Sequence, residues 1–488
     1  MTPATTGSKI ASKTTSKTGT KTRATCSLLL AALALATQPA LAQSGNEGRI
    51  HSDFRREGEQ LQSCKNFNFG GIAGCAETLF TGQPMHIAVG SIAPQNGIAA
   101  GLAFVEHKNF ANEWRLNWDL DAVASGNGSW RAGAYMKAYR QPGGKIVVVS
   151  GASKNTNPLY RTAPLFNLYA ESTSLNRIYF YGLGPNSLPT DRSVFGLTQT
   201  IAGASAIIPL AGKTGISLIG ELNGRIPQLR GNNGESSPSI ERLYTEATAP
   251  GLTSQPAFLQ AGEGIRLRPS LFRDSLRLNY LLKFQQFVAI SDSHYSFRRW
   301  TADFDHEFPL YRNVRLTAAR DQNGPDNCAT SSSTATCPHI SLTQNLEGSI
   351  GIRLLMTGSI ANAGSVVPFY FDPTIGGSDL NGQPILASYP DYRFRAPNLL
   401  LLRETFEHSL GKLPAGFLFS VDEAKIGMNR DDISFDHLRH TFTAGLTVHA
   451  GGLPVVYLLF SWGGNEGHHT TATISNVLLG ASARPSLF

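Results

Sequence analysis

From Trp114 onward the chain alternates between apolar and polar positions. Trp114, Leu116, Trp118, Leu120 and Ala122 stand between Arg115, Asn117, Asp119 and Asp121. A second run sets Trp130, Ala132, Ala134, Met136 and Ala138 against Arg131, Gly133, Tyr135 and Lys137. A period of two marks a strand, because successive side chains leave the backbone on opposite faces. Ser125-Gly-Asn-Gly128 between the runs is a tight-turn signal, so together they predict a hairpin. Later, Trp300, Ala302, Phe304 and Phe308 alternate with Thr301, Asp303, Asp305 and Glu307, and His306 interrupts the apolar face. Acids opposite aromatic rows fit a wet or hydrogen-bonded interior better than a dry core.

A soluble β-sandwich also has period-two strands. Two features favour a membrane barrel instead. The apolar faces are aromatic near the strand ends, as in interfacial girdles, and short turns alternate with longer polar connections at 228–256 and 321–338. After Ala36 no run reaches the roughly 18 apolar residues of a transmembrane helix. A membrane form must then be a closed barrel, in which every backbone group finds a partner. The mean hydropathy of −0.13 is uninformative, since alternation hides a barrel's apolar surface. The expected fold is all-β, a transmembrane antiparallel β-barrel of about 16 strands with a short N-terminal segment. Its last strand is expected near 470–479, and Pro485 argues against pairing as far as Phe488.

The first 25 residues carry Lys9, Lys13, Lys17, Lys21 and Arg23 and no acid. A short apolar run at 26–36 follows, then Ala40-Leu-Ala42, the three-part pattern of a cleaved signal peptide. About ten apolar residues are too few to cross some 30 Å of hydrocarbon as a helix. Cys26 stands at the start of the apolar run and is wrongly placed for a lipoprotein cysteine. The expected organisation is a signal peptide at 1–42, a short periplasmic or lumenal segment at 43–80, and an outer-membrane barrel at 81–488. The leader holds five of the seven net positive charges, so the high isoelectric point says little about nucleic acid. No basic stripe with interleaved aromatics supports such a partner either. Four cysteines follow the leader in two close pairs, Cys64 with Cys75 and Cys328 with Cys337. An even count in an oxidising compartment favours disulfides, and neither pair has the spacing of a zinc site. The second pair brackets a Ser/Thr-rich loop expected to face the cell exterior.

Residues 371–426 carry the densest set of motifs. Phe371-Asp-Pro-Thr-Ile-Gly-Gly-Ser-Asp-Leu-Asn-Gly-Gln383 is too rich in glycine for a packed helix. Gly376, Gly377 and Gly382 suit a bent, closely approached loop, a solvated hairpin tip being the bland alternative. Residues 392–404 and 419–426 read as strands around a turn at Gly411-Lys-Leu-Pro414. The order G-G-x-D-x-x-G (Gly376 to Gly382, with Asp379), R-F-R-x-x-N-x-L-L-L-x-E (Arg393 to Glu404, with Arg395), then Val421-Asp422 resembles the bacterial surface antigen family. Phe180-Tyr-Gly-Leu-Gly-Pro-Asn-Ser187 and Trp462-Gly-Gly-Asn-Glu-Gly-His468 extend the resemblance to about residues 81–488. That family forms the C-terminal barrel of outer-membrane protein assembly factors and related translocation pores. The resemblance implies that the glycine loop folds back into the lumen and meets the wall near Asp422.

Two departures stand out. Residues 43–80 are too few for the periplasmic polypeptide-transport domains that usually precede such a barrel. The loop also has Asn381-Gly382-Gln383 where assembly-type members carry an arginine, while the partner strand keeps Asp422. Asp422 then needs Arg393, Arg395 or Arg403, or the amide of Asn381, which is the expected contact. An amide holds a carboxylate less firmly than a bidentate arginine does.

Catalytic signatures are absent: there is no G-x-S-x-G, H-E-x-x-H, Walker or dinucleotide pattern. No cofactor or metal is expected. His468 and His469 are neighbours that a strand sends to opposite faces, and Glu404, Asp422 and Glu423 read as ordinary lumenal acids. The expectation is a non-enzymatic outer-membrane barrel in protein insertion, translocation or envelope biogenesis. A passive channel or an outer-membrane lipid hydrolase are the alternatives. Outer-membrane lipid and periplasmic or outer-membrane proteins are the expected partners, not nucleic acid.

Overall fold

A computed structural model describes residues 49–61, 79–80, 84–110, 114–140, 163–210, 215–318, 340–474 and 485, apart from 235, 273–274, 411–412, 414 and 451–452. The expected signal peptide and all four paired cysteines lie outside the described residues. The chain divides into two units, 1–52 and 53–488. Of the first, only 49–52 are described, the opening of a helix Arg49–Leu61. All that follows concerns the second.

Its strands begin with β1 (Met85–Ser91), β2 (Ile98–Asn109), β3 (Trp114–Ser125) and β4 (Trp130–Arg140). Next come β5 (Leu165–Phe180), β6 (Ser193–Pro209), β7 (Ile216–Gly231), β8 (Phe258–Leu267), the short β9 (Ser270–Leu271) and β10 (Leu276–Ala289). Two long strands follow, β11 (Phe297–Ala318) and β12 (Ile340–Ala361), and their successor connection holds β13 (Thr374–Ile375) and β14 (Phe394–Arg395). The chain finishes with β15 (Asn398–Ser409), β16 (Ala415–Gly427), β17 (Arg439–Ala450), β18 (Leu453–Trp462) and β19 (His468–Ile474). One seventeen-stranded antiparallel sheet results, in which β9 is a two-residue appendage beside β10, so sixteen strands make the wall. Each pairs with its neighbours in sequence. β1 and β19 run close to each other, yet no ladder joins them among the described residues.

The two faces of this wall are inverted relative to a soluble sheet. Leu102, Leu120, Leu222, Ile265, Leu282, Leu446 and Leu458 are each about half exposed. Their sequence neighbours Asp119, Asp121, Asn223 and others such as Arg131, Glu171, Gln260 and Arg299 are buried. Exposing leucine and burying charge is unfavourable in water and favourable when hydrocarbon surrounds the wall, which makes this a transmembrane sheet and not half of a sandwich. The predicted hairpin forms as β3 and β4, with Ala124 opposite Trp130 and Gly128 at a φ of 81°. His306, which interrupts an apolar row, is met across the ladder by Tyr280, whose hydroxyl lies 2.6 Å from Nε2. A polar pair thus closes on itself on the outer face.

Strand directions place the connections at 92–97, 126–129, 181–192, 232–257, 290–296, 362–397, 428–438 and 463–467 at one end. The start of β1 and the finish of β19 are at the other. One expectation needs correcting, and two others reach beyond the described residues. Residues 392–404 are not one strand: the wall resumes only at Asn398, because Pro397 has no amide to donate and Arg393–Arg395 belong to the folded-in loop. The final strand starts at His468 and is described only to Ile474. The connection carrying Cys328 and Cys337 leaves the sheet between β11 and β12 at the end opposite the glycine loop. An exterior position for it requires both ends of the strand series to face the exterior as well.

Candidate functional site

The 362–397 connection is the largest departure from the meander, and its shape follows from its composition. Three consecutive aromatics, Phe369-Tyr-Phe371, cannot alternate across a strand. Flanked by Pro368 and Pro373, they form a 3₁₀ turn with all three side chains fully buried. Phe371 packs against Phe258, Phe287 and Phe297 at ring distances of 4.9, 5.2 and 5.4 Å. Phe369 meets Phe180 and Phe195 at 4.9 and 5.3 Å. These partners come from β5, β6, β8, β10 and β11, so the loop's apolar knot fills the lumen at this end. Nothing in the alternation flagged this triplet; the signal was the proline-bracketed aromatic run.

The glycines lie just after the knot. Gly376 and Gly377 have φ of 102° and 63°, and a Cβ on them would lie 2.4 Å from the Arg393 Cβ and 2.3 Å from the Asp391 carboxylate. Two later segments of the same loop cross here: Gly376 donates to Ile385 O, Ile385 donates to Gly377 O, and Tyr392 donates to Gly376 O. Only glycine supplies both the backbone angle and the room. Asp379 organises the tip, accepting from the Asn381 and Gln383 amides at 2.9 and 2.7 Å. Burial raises its pKa against those hydrogen bonds.

The loop then meets the wall at Asp422. The carboxylate accepts a bidentate pair from Arg403, Nε to Oδ1 at 2.6 Å and Nη2 to Oδ2 at 2.8 Å, and a third bond from the Leu386 amide at 3.0 Å. Arg403 also donates to Pro384 O. Arg403 and Asp422 face each other across the β15–β16 ladder. Arg403 of the neighbouring strand thus grips the acid and the loop backbone together. The expected Asn381–Asp422 contact is corrected: Asn381 is tied by main chain and side chain to Asp379, two residues away in its own turn. Glu404 also departs from its reading as a lumenal acid. It follows Arg403 directly, so strand alternation turns it outward, where it is exposed. Glu423 is likewise on the face opposite Asp422.

Other arginines bind the loop to the rest of this end. Arg393 donates to Glu466 at 2.7 Å and, through its other nitrogens, to the Ser187 hydroxyl and carbonyl. Its plane also lies over Phe394. Gly184 donates to Arg395 O at 2.7 Å, Tyr392 reaches Pro94 O at 2.9 Å, and Gln95 reaches Asp391 at 2.6 Å. Ser388 and Thr441 pair at 2.6 Å. Contacts therefore run to the turns after β1, β5 and β18 as well as to β17. Both resemblance motifs outside the loop, around Tyr181–Ser187 and Glu466, are brought to it.

At the seam, Val105 N donates to Pro84 O, which makes Met85 and Phe104 a non-hydrogen-bonded pair. The amides of Met85, Ile87, Val89 and Ser91 therefore point away from β2, towards β19. One of them is capped: Glu57, on the helix, accepts from Met85 N at 3.2 Å. Phe54, one turn earlier, lies 6.4 Å from Phe104.

Among the described residues no cluster of three or more His, Cys, Asp or Glu is placed to hold a metal. His468 and His469 sit opposite Trp462 and Ser461 on β18. No protein-family model matches the chain. No curated protein matches it either. Among solved structures the chain is similar to BamA from Haemophilus ducreyi lacking POTRA domains 1–3, with 9% identity over 80% of this chain and 68% of that one, at a TM-score of 0.45. It is also similar to CdiB from Escherichia coli (11% identity, 80% and 62%, TM-score 0.46) and CdiB from Acinetobacter baumannii (12%, 80% and 58%, TM-score 0.41). The match thus spans less than two thirds of either CdiB chain.

Proposed function

We propose that this chain is an outer-membrane barrel that handles polypeptide through its β1–β19 seam, in insertion or translocation, and not an open diffusion pore. The carrying observation is a pair of contrasts in one sheet. Among the described residues every wall strand has a neighbour on both sides except β1 and β19, and a loop locked at Asp422 and Arg403 packs its aromatic knot against the inner wall at one end. Unpaired strand edges are templates for an incoming strand. A filled lumen does not favour a passive channel. The outward leucines and phenylalanines support residence in a lipid bilayer, and no catalytic constellation enters the argument.

The test has two arms. In planar bilayers the intact protein is expected to show little steady conductance, and a variant with 362–397 replaced by a short linker is expected to open. In cells, a photo-crosslinker at Ile87 or Val89 is expected to capture polypeptide segments, whereas one at Leu282, on a fully paired strand, is not. A large, permanently open conductance in the intact protein, with no capture at β1, would overturn the proposal. Separation of membranes is expected to place the protein in the outer one.

A further inference from the structure

The seam has two ends, and the contacts around it treat them differently. Ser91 and His468 mark the loop end, Met85 and Ile474 the other. Among the described residues no ladder joins β1 to β19, so at the loop end the two edges are held from outside the strands. One five-residue stretch of the folded-in loop, 389–393, does the holding.

That stretch reaches both sides. On the β1 side, the Asp391 carboxylate accepts from Gln95 Nε2 at 2.6 Å and the Tyr392 hydroxyl donates to Pro94 O at 2.9 Å, both in the turn that follows β1. On the β19 side, Arg393 Nε donates to Glu466 at 2.7 Å, in the turn that precedes β19. Tyr389 packs over Gly464 of the same turn, where a Cβ would strike its hydroxyl. His469 of β19 stands within electrostatic reach of Asp391. Neither anchor is loose. Asn96, next to Gln95, accepts through Oδ1 from the Ser129 hydroxyl and the Asn176 and Arg177 amides, which ties its turn to the β3–β4 turn and to β5. Ser388, one residue before the stretch, pairs with Thr441 of β17.

Backbone angles mark the same contacts. Gln95, Leu386 and Tyr392 have φ of 64°, 52° and 59°, in the left-handed region that residues with a Cβ seldom adopt. Gln95 and Tyr392 carry the ties to the β1 side, and the Leu386 amide carries the tie to Asp422. Such angles persist only where the surroundings impose them. The Met85 end has a contact of another kind: Glu57 accepts from the Met85 amide and so holds β1 alone. Parting the strands at the loop end breaks several buried contacts at once, whereas the other end offers less resistance.

We propose that residues 389–393 are the hinge of the seam. β1 and β19 part first at the Met85–Ile474 end and swing about the loop, so the opening is a wedge that polypeptide enters from that end. The direction of entry rests on the seam's proposed role; the hinge itself does not.

The experiment places nitroxide pairs across the seam of the full chain in lipid nanodiscs, on an introduced keto amino acid that leaves the native cysteines alone. One pair sits at Ser91 and His468, the other at Met85 and Ala472. Double electron–electron resonance is expected to give a narrow distance distribution at the first pair and a broad one, with a long-distance population, at the second. Gln95→Gly with Tyr392→Phe removes both ties to the β1 side and spares the fold. Glycine is at ease at a φ of 64°, and Pro94 O keeps a donor in Asn96 Nδ2 at 2.8 Å. In this variant the open population at the loop end is expected to rise about tenfold or more, the effect of two lost hydrogen bonds. A loop end as broad as the other end in the wild type would overturn the hinge, as would an unchanged loop end in the variant. Gln95→Gly alone decides in the same way should the double variant not fold. In cells, a photo-crosslinker at Ile87 is expected to capture more polypeptide than one at Ser91, and the reverse order would overturn entry from the Met85 end. Capture at Ile87 with an unchanged loop end in the variant removes the hinge and leaves the seam's role standing. The expected distances without capture anywhere on β1 remove that role, and the direction of entry with it, and leave the hinge.

Discussion

The lock at Asp422 and the seam at β1–β19 are two places where this sheet is met by something other than an ordinary ladder. At the lock a carboxylate, a guanidinium and two backbone groups converge within 3.0 Å, and the loop's Ile385 and Leu386 are buried in one cluster with Leu401 and Ala424 of the wall. At the seam β1 and β19 run close without a ladder among the described residues, and the cap described on the β1 edge is a single 3.2 Å bond from the Met85 amide to Glu57. Both sites leave strand or loop backbone to be satisfied, but one does so redundantly and the other minimally. The difference says where the molecule opens: regions with few buried contacts and solvent-facing backbone open at the lowest free energy.

The strongest test of that contrast breaks the lock. Arg403→Ala leaves Asp422 buried with one amide donor, and removing one partner of a buried ion pair typically costs about 3–5 kcal/mol. Denaturant unfolding in detergent, with protease cleavage of 362–397 as a local probe, should show that loss. Pairing it with Asp422→Asn should recover part, since no buried charge is then stranded. If the single change costs nothing, the lock is not what holds the loop.

A second test uses pH. Burial raises Asp372 to about 8, against the pull of Arg299 and Arg395. An exposed aspartate titrates near 4, so between about 4 and 8 the folded loop binds more protons than the opened one. Its stability therefore falls as pH rises through that window and is greatest at the acid side. The loop's protease resistance, compared at several pH values against Asp372→Asn, should decline with pH in the wild type and stay flat in the variant. At the seam burial also raises Glu57, against the hydrogen bond from Met85, so the control for this trend is Asp372→Asn and not the seam.

Much of the wall was legible before any coordinates. The period of two, the Ser125–Gly128 turn and the even strand count follow from local chemistry, since a strand in lipid must alternate and a barrel must turn. Asp422 was identifiable as an acid in need of a cation, and Arg403 was one of three candidates. What the alternation did not separate was which of them shares a register with it, because register is set by pairing across strands and not by spacing along one. Two further features escaped for related reasons. The Phe369–Phe371 knot has no period, so neither strand nor helix templates find it. Glu404 was grouped with Asp422 by residue type, although its place next to Arg403 already fixed it on the other face. The Glu57 cap depends on a tertiary contact between a helix and an edge strand 28 positions away.

That cap gives a smaller test, aimed at the seam. Glu57→Ala removes the one acceptor on the Met85 amide, and a hydrogen bond to a charged group contributes about 1.5–3 kcal/mol at most, less where water competes. Because Met85 N faces the seam and not β2, the loss should stay local. Hydrogen exchange should accelerate at Met85 and Ile87 while β11 and β12 are unchanged. Equal acceleration in both regions would mean that the sheet opens as one unit, and the contrast between lock and seam would dissolve.

The smallest expected effect tests the surroundings on which the comparison rests. Glu404 lies near the middle of β15 on the outer face, opposite Ile352 on one side and Val421 on the other. Phe419, further along the same outer face, is 39% exposed. A carboxylate on a lipid-facing strand is unfavourable, though less so than lysine or arginine, whose cost reaches about 2–4 kcal/mol at the midplane. Glu404→Leu should therefore stabilise the protein by about 1 kcal/mol in a bilayer. It should leave the Asp422–Arg403 lock untouched, because it sits on the opposite side of the strand. The comparison that matters is between lipid vesicles and a detergent with a wet, mobile surface, where the gain should shrink. A loss of stability in the bilayer would point the other way, to a cation on a partner protein that Glu404 meets through the outer wall.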